Sequence, residues 1–120
     1  PMSPVGPFIA SAAGEGYRRA ARGEPVPYHG YFYRMLNAQG PDAEGGAQDY
    51  VVSGRRVNGF AMIAWPAAYG VSGVKTFIVN QDGVVYETDF GEETPSRVNE
   101  IRAFNPGSQW APVAAELPVD

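Results

Sequence analysis

The chain has 120 residues, 44% hydrophobic and 18% charged, a balance that supports a folded domain and excludes an intrinsically disordered segment. Its net charge is −4, and its arginines form only two small groups, Arg18 with Arg19 and Arg22, then Arg55 with Arg56, so no basic stripe exists to follow a nucleic-acid backbone. Cysteine is absent, which excludes disulfides, thiol catalysis and cysteine-based metal sites together.

Fifteen glycines, eleven prolines and 12% aromatic residues suit short strands joined by turns better than a helical bundle. The longest nearly uncharged stretch, 57–74, contains Asn58, Gly59, Pro66, Gly70 and Gly73 and does not read as a membrane span. The first residue is Pro1, with neither a charged nor an apolar leader region after it, which gives the expectation of a trimmed piece of a longer chain.

In chain order, "SPVGPFIASAAGEGYRRAARG" predicts a short helix with Phe8, Ile9, Ala12 and Ala13 on one face and Gly14 and Gly16 limiting its length. "EPVPYHG" follows as an extended linker, because each proline fixes its own φ and turns its predecessor away from helix. Residues 28–39 predict the first strand: Tyr28, Phe32 and Leu36 alternate with Tyr31, Tyr33 and Met35, so both faces carry large side chains and both are expected to be at least partly covered. "GPDAEGGAQDY" is a loop, and "YVVSGRRVNGF" holds two short strands about a Ser-Gly turn. Residues 59–70 predict a strand that stops at Pro66.

The stretch "TFIVNQDGVVYETDFG", 76–91, predicts a hairpin turning at Asp82-Gly83. Alternation on its outgoing strand places Val84, Tyr86, Thr88 and Phe90 on one face and Val85, Glu87 and Asp89 on the solvent side. A late helix follows in "EETPSRVNEIRAF", with Thr94 as N-cap, Pro95 first in the helix and Val98, Ile101 and Phe104 as its buried stripe. The whole reads as one α+β domain over 1–120. Residues 1–27 form the N-terminal helix and linker, 28–90 an antiparallel sheet of about four to six strands, and 91–120 a helix and extended tail.

No constellation carries a mechanism. A calcium loop aligned on Asp82-Gly83 would need a ligand at Ile78, which has no oxygen to offer, and its flanks are strand formers. His29, the sole histidine, needs a partner acid or further ligands that sequence does not place beside it, and reads as structural. Asp42 and Glu44 are acids of a glycine-rich loop that lacks the Lys and Ser/Thr of a phosphate loop, and no serine stands in a G-x-S-x-G context. No catalytic, cofactor or metal residue is therefore assigned. The aromatic residues remain: those left over from the core, Tyr31, Tyr33, Trp65 and Tyr69, are the candidate interaction surface.

The blocks "YHGYFYRMLNAQGPDAEGGAQDYVV", "GFAMIAWPAAYGVSGVKTFIVNQDGVVYETDFG" and "FNPGSQW" resemble the C-terminal part of a bacterial secreted family known as domain of unknown function 2950. That resemblance implies an envelope or extracellular location and a longer precursor, and it supplies no catalytic residue. A looser similarity, on Pro66, Gly70, Gly73, Thr76, Phe77, Asp82 and Gly83, is to the globular heads of type IV pilins and pseudopilins, and implies a pilin-head-like sheet. The functional expectation is a non-enzymatic periplasmic or extracellular protein-interaction domain, an accessory or structural subunit of a larger assembly with protein partners and no cofactor. The alternative is a small-ligand or glycan-binding module that uses Trp65 and Tyr69 with Asp42 and Glu44.

Overall fold

A computed structural model of the chain describes Arg18 and residues 29–57 and 59–113. Among these, the strands are β1 (Tyr31–Leu36), β2 (Ala38–Gln39), β3 (Gln48–Asp49), β4 (Val51–Val52), β5 (Arg55–Arg56), β6 (Ala61–Pro66), β7 (Thr76–Asn80), β8 (Tyr86–Thr88) and β9 (Ala111–Pro112). A 3₁₀ turn, Gly91–Glu93, leads directly into the helix α1 (Thr94–Asn99). The described residues from 29 onward are thus mostly antiparallel sheet with one short helix. The expected N-terminal helix and linker lie outside the described residues, apart from Arg18 and the linker's end at His29, as does the end of the tail from residue 114.

Five strands form the main sheet in the order β1-β6-β7-β8-β9, every neighbour antiparallel. β2 with β3, and β4 with β5, make separate two-stranded ladders. In β1 the alternation of large residues sets the register, with Phe32 opposite Trp65 and Leu36 opposite Ala61. Pro66 is tolerated because of its place in that ladder. The bond from Ala67 N to Gly30 O, 2.8 Å, makes Tyr31↔Pro66 a pair whose main-chain groups point away from each other. The missing N–H of Pro66 then faces Lys75, just before β7 begins, where no ladder bond is lost.

Residues opposite one another across the strands share a face, so the sheet has two distinct sides. On the first lie Phe32, Arg34, Leu36, Ala61, Ile63, Trp65, Thr76, Ile78, Asn80, Tyr86 and Thr88. This side carries the core: Leu36, Ala61, Ile63 and Ile78 meet Ala43, Tyr50, Val98, Phe104 and Trp110, with Trp65, Tyr86, Phe90 and Ile101 at the margin. Each large apolar side chain enclosed there contributes about 1.5–3 kcal/mol.

Side chains tie the irregular segments over this core. Gln39, buried, donates from Nε2 to Glu44 O (3.0 Å) and Gly46 O (2.7 Å) and accepts from the Tyr50 hydroxyl (2.6 Å), so one amide fixes the glycine-rich loop. Phe104 enters beside β2 through Phe104 N to Ala38 O and Gly40 N to Phe104 O. Asn105 and Asp42 join the same loop to the chain that follows α1.

Several expectations need correction. The first strand does not run through 28–39 unbroken: it starts at Tyr31 and ends at Leu36, and Ala38–Gln39 pairs with β3 instead. Thr94 is not the N-cap. That position is Glu93, and Thr94 lies inside the helix, fully buried, with its hydroxyl donating to Gly91 O at 2.6 Å. Phe104 is buried beyond the helix rather than on it.

The turn at Asp82-Gly83 forms, but Asn80 makes it: its Oδ1 accepts from Asp82 N and its carbonyl from Gly83 N, with Gly83 at φ 82°. β8 begins only at Tyr86. Val84 is therefore exposed rather than on a core face, and Glu87 stands half-buried opposite Phe77 rather than on an outer, solvated row. The Ser-Gly hairpin matches its expectation, since Ser53 and Gly54 at φ 53° and 77° are the two left-handed residues that a tight type I′ turn demands.

Candidate functional site

The second side of the sheet carries Tyr31, Tyr33 and Met35 from β1, Met62, Ala64 and Pro66 from β6, Phe77 and Val79 from β7, and Glu87 from β8. Eight of these nine positions are apolar or aromatic, yet none belongs to the core cluster. On β6, Met62, Ala64 and Pro66 are buried, while the flanking Tyr31, Tyr33, Met35, Phe77 and Val79 are half-buried. The Tyr31 and Phe77 rings lie 5.9 Å apart at 40°. Burial, then Tyr33 and Glu87, push the Tyr31 phenol above its ordinary pKa, so a protonated hydroxyl is kept at this end of the face.

That hydroxyl donates to Lys75 O at 2.8 Å and so holds the loop between β6 and β7. Gly73 passes directly beneath the Tyr31 ring, where a Cβ would collide with it. The Ser72 hydroxyl accepts from Ala68 N, Gly70 N donates to Gly73 O, and the Tyr69 hydroxyl donates to Asp89 at 2.8 Å. Asp89 also accepts from Gly91 N at 2.8 Å. The Tyr69 bond, then that of Gly91, hold the Asp89 carboxyl below its usual value, and the same bond raises Tyr69. The loop so fixed exposes Val71, which is 87% accessible.

On the first side, Arg34 lies within an otherwise apolar strand and reaches α1: its Nη2 donates to Val98 O (2.8 Å) and Ile101 O (3.0 Å). Its guanidinium carbon is 5.9 Å from the centre of the Trp65 ring, and Trp65 packs 5.8 Å from Phe32. This arginine adds side-chain donors at and just beyond the end of α1, where Val98 O also accepts from Ile101 N at 3.0 Å.

The four residues read from the sequence as an interaction surface are not brought together. Tyr31 and Tyr33 share the second face, Trp65 lies on the first beside the core, and Tyr69 stands in the loop bonded to Asp89. The set considered for a ligand is dispersed too. Trp65 and Tyr69 belong to the Pro66 end of the sheet, whereas Asp42 and Glu44 lie in the loop beyond the Leu36 end, where Asp42 accepts from Asn105. His29 occupies an exposed turn at φ 53°, just ahead of β1. Asp82 is on the turn at the Asn80 end, away from Asp89, and among the described residues no group of three or more His, Cys, Asp or Glu is arranged to hold a metal ion.

Met35, Met62, Ala64, Phe77 and Val79 are the members of the second face that sequence reasoning did not single out. Their signal was present in "AMIAWP", where both alternating sets are apolar, as in a strand with something against each side.

Comparison with known proteins gives one match: residues 1–113 fit the model of a family described as "Protein of unknown function (DUF2950)". Neither a curated protein nor a solved structure matches the chain, so the similarity to pilin heads gains no support.

Proposed function

The chain belongs to the DUF2950 family of proteins of unknown function, and we propose that this part of it is a non-enzymatic protein-interaction domain of a bacterial envelope or secreted assembly. The observation that carries this reading is the composition of the second face. Aromatic, methionine and aliphatic side chains run across β1, β6 and β7, while every sheet residue of the core cluster comes from the first face. An apolar face of this make-up, buried along β6 and half-buried on β1 and β7, has the composition of a protein contact, where Tyr, Phe and Met are enriched and charge is depleted. The polar side chains around it serve the fold: Tyr31, Ser72, Tyr69 and Asp89 fix the loop that borders the face, which keeps it in one shape for recognition. The envelope location rests on the resemblance of the long sequence blocks to a secreted family.

Light scattering on the purified chain, alone and after incubation with an extract of its native source, tests this. The wild type forms a complex of higher mass, and Val79→Lys, which puts a charge on the face, abolishes it while the free chain keeps its fold. A wild-type chain that stays monomeric and retains nothing contradicts the reading.

A further inference from the structure

The end of α1 brings together two guanidinium groups, beside the exposed Glu100 that caps the helix. Arg102 Nη1 donates to Asn99 O (2.6 Å) and to Ile101 O (3.4 Å), and Arg34 Nη2 reaches that same Ile101 carbonyl at 3.0 Å. Two guanidinium groups therefore meet at one oxygen. All the hydrogen bonds they make among the described residues go to main-chain carbonyls, and no carboxylate contacts either. Glu100, the nearest acid in sequence, is exposed and makes no ion pair among the described residues.

The carbonyls account for part of this arrangement and not for all of it. A helix C-terminus offers the equivalent of about half a negative charge, against two full positive ones. Each guanidinium has five N–H donors in a planar fork. Among the described residues Arg34 uses Nη2 alone and Arg102 uses Nη1 alone, so each fork has further N–H donors without an acceptor there. Burial and then the like charge of Arg102 lower the pKa of Arg34. The surroundings are not only ionic. Trp65 lies under Arg34, with Phe32 beside it, and both rings are half-buried.

We propose that Arg34 and Arg102, with Trp65 and Phe32 alongside, form a binding site for a carboxylate attached to an apolar ring. A planar carboxylate matches the open guanidinium edges two bonds at a time, and a ring attached to it covers indole surface that a bare phosphate leaves wet. Exposed Arg102 is the entry, and half-buried Arg34 is the inner anchor. The site draws on the first side of the sheet and the end of α1, so it goes beyond the protein contact proposed for the second side and does not depend on it.

The test is titration of the full chain with benzoate, acetate and inorganic phosphate at constant ionic strength, balanced with sodium chloride. Binding is read from the indole N–H resonance of Trp65 and by calorimetry. Benzoate binds saturably and about tenfold more tightly than acetate, the equivalent of about 1.4 kcal/mol from the ring. Arg102→Ala weakens benzoate by about tenfold or more with the thermal midpoint little changed, and Arg102→Lys recovers only part of the affinity, because it restores charge without the fork. The proposal is overturned if benzoate produces no saturable shift, if Arg102→Ala binds it as the wild type does, or if phosphate binds as tightly as benzoate.

Discussion

Two threonines, each fully buried, make opposite predictions from the same substitution. Thr76, the first residue of β7, faces the core, and its hydroxyl has no hydrogen-bond partner among the described residues. Thr94, in α1, donates to Gly91 O at 2.6 Å. Thr→Val keeps the shape and the branching at Cβ and replaces the hydroxyl by a methyl, so strand preference and volume are held nearly constant. A hydroxyl enclosed without a partner costs about 1–3 kcal/mol. Thr76→Val removes that cost and stabilises the protein by about 1 kcal/mol, or about 4 °C in the thermal midpoint for a chain of this size. Thr94→Val loses a bond and leaves Gly91 O with only the backbone N–H of Thr94, which destabilises by about 1 kcal/mol. Urea unfolding decides the matter, with the slope unchanged and the two midpoints displaced in opposite directions by about 0.5 M. If Thr76→Val lowers the midpoint as Thr94→Val does, the Thr76 hydroxyl is bonded in solution and the reasoning fails.

Removing the Tyr50 hydroxyl takes away the donor to Gln39 Oε1 inside the core. Tyr50→Phe should cost about 1–3 kcal/mol in urea unfolding, and in alkaline absorbance titration the buried Tyr50 phenol of the wild type, whose pKa burial raises, should ionise only as the protein unfolds. The Tyr69–Asp89 pair predicts two pH limbs. Asp89, held low by Tyr69 and Gly91, contributes stability that is complete above about pH 4 and lost as pH falls through its lowered value. Tyr69, raised by the same bond, contributes stability that is complete below about pH 10 and lost as pH rises through its raised value; Tyr69→Phe should flatten both limbs in thermal melts across pH. Gly73→Ala should lower the thermal midpoint by driving a methyl into the Tyr31 ring, and Tyr31→Ala in the same chain should make it nearly neutral, a coupling that a double-mutant cycle reads directly.

What was legible in the sequence was local. Ser53-Gly54 and Asp82-Gly83 announce turns because few residues adopt left-handed backbone, and Pro66 ends a strand because it lacks an N–H. Three strands, β1, β6 and β7, lie within the expected segments for the same reason. The division of the sheet into a core side and a second apolar side was not legible, because β1 and β6 carry large apolar residues in both alternating sets and only register with distant strands tells them apart. Trp65 and Tyr69 therefore looked like neighbours of Tyr31 and Tyr33 although the register and the loop separate them. The role of Arg34 depends on carbonyls 64 and 67 residues later in the chain, which no local pattern encodes. Thr94 was displaced from the cap for a local reason with a distant cause: the 3₁₀ turn before it brings Gly91 O within reach, and Asp89 holds that turn from outside.

The contact proposed for the second side of the sheet is tested most directly by hydroxyl-radical labelling of the chain, free and after incubation with an extract of its native source. Tyr31, Met35, Phe77 and Val79 should lose labelling on binding, while Phe32 and Trp65, on the opposite side, keep theirs. Protection confined to Phe32 and Trp65, or protection at neither set, would contradict the assignment of the second face as the surface of contact.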